Sequence, residues 1–124
     1  MLFLVLQTYL KLIHIDRYLV KGDFASLYNN VRSCPIATQR SAPSSIERVC
    51  HAVELACIWY WKEVLCLQRS AVLACLLRHQ GVAAQMVIGA QQVPFKAHAW
   101  VEVDGRVVND APYVTERYAV LDKC

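Results

Sequence analysis

The spacing of apolar residues changes once along this 124-residue chain, at Gly81. Before Gly81, apolar side chains recur three and four residues apart, as in the stripe from Ile46 to Tyr60, which is the period of a helix. After Gly81, short apolar segments alternate with turn residues, which is typical of strands. Helices followed by a small antiparallel sheet form an α+β fold, and the length suits a single domain over residues 1–124.

Capping residues indicate where the helices begin and end. Asp23 is suited to cap the second helix, and the residues from Ser44 to Glu47 match a capping box at the start of the third. Gly81 is suited to end the fourth. The two prolines within residues 33–44 predict an irregular connection. The predicted helices span about residues 1–20, 23–32, 44–60 and 66–79.

Turn residues divide the last third of the chain into strands. The segment Gln91–Pro94 is predicted as a loop, and the pair Asp104-Gly105 marks a hairpin turn. The predicted strands span residues 84–89, 95–103, 106–110 and 118–121.

Three residue types that build nucleophilic catalytic sites stand in three different predicted elements. Cys66 begins the fourth helix, where unpaired N–H groups and the helix dipole favour a thiolate. His98 lies in the second strand and can act as a base, and Asp110 ends the third strand and can orient the imidazole. This arrangement predicts a cysteine peptidase or a related acyl-transfer enzyme, with the N–H of Cys66 as an oxyanion donor.

The catalytic interpretation depends on the register of the hairpin at Asp104-Gly105. A two-residue turn would direct Asp110 to the face of the sheet away from His98, because side chains alternate along a strand. A three-residue loop would set His98 and Asp110 opposite each other. The triad therefore requires the three-residue loop or a compensating bulge.

The remaining cysteines, histidines and acids fit other roles. Three cysteines fall on apolar helix faces and are predicted to lie in the core: Cys50, Cys57 and Cys75. The other histidines lie in predicted helices: His14, His51 and His79. Asp104 occupies the hairpin turn, and Arg69 would either keep the site electropositive or be a solvated arginine or part of a structural ion pair. No CxxC or CxxH pair occurs in the sequence, and we expect neither a metal nor a cofactor.

Charge and hydropathy exclude some classes of protein. The net charge of +3 is scattered, whereas nucleic-acid binding usually requires a concentrated basic stripe, so nucleic acid is not a predicted partner. No apolar segment approaches the roughly 20 residues of a membrane-spanning helix, and no secretory signal is evident. We expect a cytoplasmic protein, and the 56% hydrophobic composition predicts a surface for a partner protein rather than a membrane segment.

Two sequence blocks carry a resemblance to a known family. One is Cys66-Leu67-Gln68-Arg69-Ser70, and the other is His98-Ala99-Trp100-Val101-Glu102 followed by Asn109-Asp110. Together they resemble the transglutaminase-like leader peptidases of lasso-peptide biosynthesis, in particular the stand-alone peptidase halves of split maturation proteins. The resemblance is close over about residues 44–112. It implies a transglutaminase/papain-like cysteine protease fold, with the family's nucleophile, base and acid at Cys66, His98 and Asp110.

The resemblance implies removal of the leader from a ribosomally made lasso-peptide precursor before macrolactam formation. It also implies three partners, which are the precursor leader, a small leader-recognition protein and the ATP-dependent cyclase. Residues 1–43 would then be a helical partner-docking region and residues 44–124 the transglutaminase-like catalytic core. The family usually has proline at the position of Gln68, so Gln68 should loosen the start of the helix slightly.

Two other functions are compatible with the same residues. The triad could transfer an acyl group to an amine, as in transglutaminases or arylamine acetyltransferases, and the product would then carry the added amine. Alternatively, the chain could be a non-catalytic interaction module with a vestigial triad. That alternative predicts an unreactive thiol at Cys66.

Overall fold

The computed structural model describes residues 2–38, 45–92 and 94–124. Four helices precede a four-stranded antiparallel sheet of order β3-β2-β1-β4, which confirms the predicted α+β class. The elements are α1 (Leu2–Val20), α2 (Phe24–Ser33), α3 (Ser45–Trp59), α4 (Cys66–His79), β1 (Ala84–Gln92), β2 (Phe95–Val103), β3 (Arg106–Val107), α5 (Val114–Arg117) and β4 (Ala119–Lys123). No helix in these ranges is long and apolar enough to cross a membrane.

Helix α4 is the centre of the core. Every residue from Ser70 to Arg78 is buried, because the helix contacts β1 and β2 of the sheet and also α1 and α3. A helix that is surrounded in this way must be apolar on nearly all sides. The N-terminal helices share this core, with Leu12 of α1 and Leu27 of α2 almost fully buried in it. Helices α1 and α2 therefore also contribute to the packing that holds α4 in place.

Capping explains two of the helix boundaries, the start of α2 and the end of α4. The side chain of Asp23 accepts a hydrogen bond from the N–H of Ser26 at 3.1 Å, as predicted for the N-cap of α2. Gly81 follows α4 with a φ of 82°, a conformation that glycine adopts without steric cost, and this confirms it as the end of that helix. Ser44, the first residue of the predicted capping box, lies outside the described residues.

Arg78 fastens the C-terminal end of α4 to three other parts of the chain. Its guanidinium donates to the carbonyl oxygens of Val31, Ala84 and Cys124, with distances of 2.9 Å to Ala84 and 2.6 Å to Cys124. The side chain is buried, so these carbonyl groups take the place of water around its charge.

The sheet departs from the predicted one in three ways. The first hairpin is tighter, because Gln91 and Gln92 continue β1 instead of forming a loop. The turn at Asp104-Gly105 has two residues, both with positive φ, and pairs Val103 with Arg106. The three-residue loop, one of the two arrangements that would suit the triad, is therefore not formed. Strand β3 also ends at Val107 and not at residue 110.

Candidate active site

Cys66 is the first residue of α4 and is half-buried. The helix begins there because Leu65 is extended and its carbonyl accepts the first helical hydrogen bond, from the N–H of Arg69 at 3.1 Å. Leu65 has no side-chain acceptor for the free N–H groups of the first turn. The amide oxygen of Gln68 instead accepts the N–H of Leu65 at 2.7 Å, as the third residue of a capping box does.

This contact corrects the expectation that Gln68 loosens the start of α4. The Gln68 side chain is buried, and its hydrogen bond to the N–H of Leu65 stabilises the first turn of α4. Proline at the same position would have no side-chain amide to make this bond. The start of the helix that carries Cys66 is therefore held by the Gln68 side chain.

His98 lies in β2, where two aromatic rings flank its imidazole. The centroid of the His98 ring is 5.2 Å from that of Tyr118 and 6.0 Å from that of Trp100. Gly89 of β1 is paired with His98, and a Cβ at Gly89 would lie 2.7 Å from a ring atom of Trp100. The absence of a side chain at Gly89 thus makes the room in which these rings pack.

Asp110 contacts His98 directly. The Oδ2 atom of Asp110 lies 2.5 Å from Nε2 of His98, in a half-exposed position. An ionised carboxylate can only accept, so Nε2 carries the hydrogen in this contact. The contact leaves Nδ1 of the imidazole for another partner.

The contact forms despite the two-residue turn because the chain leaves the sheet early. The N–H of Val108 still donates to the carbonyl of Val101 at 3.0 Å, but the next residue pairs through its side chain. The amide oxygen of Asn109 accepts the N–H of Val101 at 2.8 Å, and its nitrogen donates to the Ser70 hydroxyl of α4 at 3.3 Å. The backbone is therefore free to diverge, and Asp110 reaches His98.

Burial alone would raise the pKa of Asp110. The hydrogen bonds from His98 and from the N–H of Ala111, together with the positive charges of His98 and Arg69, outweigh that effect and hold the pKa below its ordinary value. Asp110 is therefore a carboxylate at neutral pH and can orient the imidazole.

Cys66 and His98 line the same small pocket, of about 120 Å³. The other residues around it are apolar: Phe24, Leu67, Ile88, Ala97 and Ala99. A pocket of this size takes one small apolar group and not a whole peptide. Phe24 belongs to α2, and no sequence signal placed that helix beside Cys66.

Cys50, Cys57 and Cys75 are poor nucleophiles. Burial raises the pKa of Cys50 to about 11 and that of Cys75 to about 12, and it also raises the pKa of Cys57. Such thiols stay protonated at neutral pH. Cys75 is fully buried, which confirms its prediction as a core residue, whereas Cys50 and Cys57 are half-buried against the core.

Arg69 of α4 helps to lower the pKa of Asp110, and it partly opposes the rise that burial causes in the pKa of Cys57. Its Nε is buried and has no hydrogen-bond partner among the described residues. These observations favour an electropositive influence on the site over a structural ion pair. Within the described ranges, no group of three potential ligands is placed to hold a metal ion.

Comparison with known proteins identifies the family. The family model of the transglutaminase-like superfamily matches residues 10–123. The chain belongs to this superfamily. The match includes α2 and most of α1 as well as the sheet.

A curated relative adds to this assignment. The chain is 41% identical over 56 residues to the microcin J25-processing protein McjB of Escherichia coli. That segment is 45% of this chain and 27% of the relative. Both findings support the resemblance of the sequence motifs to lasso-peptide leader peptidases. No solved structure matches the chain.

Proposed function

We propose that this chain is a cysteine peptidase that removes the leader from a ribosomally made lasso-peptide precursor before macrolactam formation. The observation that carries the proposal is the proximity of three side chains. Cys66 and His98 line one pocket, and Asp110 contacts Nε2 of the same imidazole. The similarity to a microcin-processing protein supports the substrate class.

Each member of the triad then has a defined role. Nδ1 of His98 takes the proton of the Cys66 thiol, and the thiolate attacks the scissile carbonyl. The resulting imidazolium protonates the leaving amine, which is the amino group of the core peptide. Water activated by the same imidazole hydrolyses the thioester, so the leader leaves with a free carboxylate and the thiol is restored. Asp110 remains charged throughout and holds the ring.

The substrate also requires delivery, because the pocket at Cys66 is too small to select a whole leader. We assign this role to a small leader-recognition protein that docks on the N-terminal region, residues 1–43. Five apolar side chains of α1 are more than half exposed and would suit such a contact: Leu2, Phe3, Leu6, Leu10 and Val20. A docked leader gains effective concentration at the thiol. The ATP-dependent cyclase would use the released amino group, in the cytoplasm.

The test is cleavage of the precursor by the purified protein, followed by mass spectrometry, with and without the recognition protein. We expect slow cleavage alone and faster cleavage with the recognition protein. Cys66→Ala should abolish the reaction, and the control Cys75→Ala should keep most of it. Cleavage by the Cys66→Ala protein would refute the nucleophile. A product with an added amine in place of the carboxylate would indicate acyl transfer instead.

A further inference from the structure

A carboxylate of the first helix is buried near the start of α4. Asp16 of α1 is only 5% exposed. It has three polar partners, two in the segment before α4 and one in α4. Oδ1 accepts from Nε2 of Gln68 at 2.7 Å. Oδ2 accepts from Nζ of Lys62 at 2.7 Å and from the hydroxyl of Tyr60 at 3.4 Å. A buried charge needs such partners, because water cannot reach it.

Gln68 connects this carboxylate to the backbone beside the thiol. Because Asp16 can only accept, the amide nitrogen of Gln68 faces it, and the amide oxygen is thereby turned to the N–H of Leu65. Leu65 directly precedes Cys66, and its own side chain is 58% exposed and provides no anchor. The Gln68 amide therefore links Asp16 of α1 to the backbone at the first turn of α4.

The connection between α3 and α4 is held at a second point by the same carboxylate. Lys62 lies in that connection, and its ammonium group forms an ion pair with Asp16. The chain on the N-terminal side of Cys66 is therefore tied to Asp16 at Lys62, and the chain on the C-terminal side is tied to it at Gln68. None of the three side chains lines the pocket of Cys66 and His98.

We infer that Asp16 and Gln68 are positioning residues that hold the Cys66 nucleophile at the start of α4 for reaction. This inference rests on the proposed peptidase function. Loss of the Gln68 amide frees the first turn, and displacement of a nucleophile by about 1 Å can lower a rate by roughly 100-fold. The loss should appear in kcat and not in KM, because neither side chain borders the substrate pocket.

Three variants of the full chain test the inference. Gln68→Ala removes both bonds, and Gln68→Glu places a second carboxylate against Asp16. The double variant Asp16→Asn with Gln68→Glu exchanges the amide and the carboxylate, so one group can again donate to the other while the N–H of Leu65 keeps an acceptor. Val31→Ala, in the core at the end of α2, is the control for a general loss of stability.

Two readouts are needed for each variant, with the melting temperature measured alongside. One is kcat and KM for precursor cleavage. The other is the rate at which iodoacetamide alkylates Cys66 at pH 7, followed by peptide mass mapping so that the other five thiols do not interfere. The alkylation rate needs no substrate, so it tests the position of the thiol even if the precursor proves not to be cut.

We expect Gln68→Ala to lower kcat and the alkylation rate by about 10-fold or more with KM unchanged. Gln68→Glu should lower kcat and the alkylation rate by at least as much. The double variant should recover both rates to within about 3-fold of the wild type, which is the coupling expected of residues that are hydrogen-bonded to each other. Val31→Ala should change neither rate at temperatures below its melting transition. Equal alkylation rates in Gln68→Ala and the wild type, or no recovery in the double variant, would overturn the inference. Failure of the wild type to cut the precursor, with the alkylation pattern as expected, would refute the proposed function alone.

Discussion

The side-chain oxygen of Asn109 accepts a hydrogen bond from the backbone N–H of Val101 at 2.8 Å. In a longer third strand, a backbone carbonyl would satisfy this N–H group. The side chain therefore ends β3 without leaving a buried donor unpaired, and the backbone after it can turn toward His98. Asn109 also donates to Ser70, so the same residue joins β2 to the helix that carries Cys66.

Asn109→Ala should destabilise the protein and lower its activity. Val101 is fully buried, so its N–H would lose its only described acceptor at a cost of about 1–3 kcal/mol. Asn109→Asp keeps an acceptor for Val101 and should cost less. Chemical denaturation and the cleavage rate measure the two effects. Asn29→Ala, on the exposed side of α2, is the matched control and should change neither.

Asp110→Asn should lower kcat for peptide cleavage by about 100-fold or more, because the amide can hold the wrong tautomer of His98 and cannot stabilise its positive charge. The change is nearly isosteric, so the fold should persist. Steady-state kinetics with the precursor measure the loss, and Asp104→Asn in the exposed hairpin turn is the control. Full activity of Asp110→Asn would show that Asp110 does not orient the imidazole.

Asp110 should also make stability depend on pH in the acidic range. Its pKa in the folded protein lies below the ordinary value of 3.8, so its contribution is present above about pH 4 and is lost as the pH falls through the lowered pKa. The melting temperature of the wild type should therefore exceed that of Asp110→Asn at pH 5–7. This gap should narrow progressively below pH 4. A gap that widens on acidification would contradict the depressed pKa.

Gly89→Ala should disturb the rings around His98. The added Cβ would lie 2.7 and 2.9 Å from two ring atoms of Trp100 and 2.9 Å from the Cβ of Tyr118, so one of these must move. Overpacking of this kind costs about 1–3 kcal/mol. We expect a lower melting temperature and slower cleavage. Gly105→Asn is the control, because no atom lies within 4 Å of its added Cβ and asparagine tolerates positive φ.

The sequence alone was sufficient to predict the first four helices and the long strand β2, but not the short helix α5. Their signals are local, since periodicity and caps such as Asp23 and Gly81 act within a few residues. The predicted class of fold, the end of α1 at Val20 and the end of α4 at His79 are all confirmed. Cys66 falls at a helix start for the same local reason.

The connections between elements could not be predicted in this way. The end of β3 depends on a bond between Asn109 and Val101, and the Gln68 amide at the first turn of α4 is oriented by a bond to Asp16, 52 residues away in the chain. Such contacts follow from tertiary packing and leave no periodic signal. Asn109 was part of the motif that carried the family resemblance, but only its neighbour Asp110 was assigned a role from the sequence. The catalytic roles of Cys66, His98 and Asp110 remain predictions for the experiments above.

The early end of β3 has a further consequence for the protein in concentrated solution. Strand β3 pairs with β2 only at Glu102 and Val103, so residues 95–99 of β2 have no neighbouring strand on that side within the described ranges. An edge of this kind can pair with the edge of a second molecule, and the exposed ring of Phe95 would add apolar contact. The charge of Lys96 opposes such pairing. Its replacement by an apolar residue should therefore promote aggregation through the sheet edge.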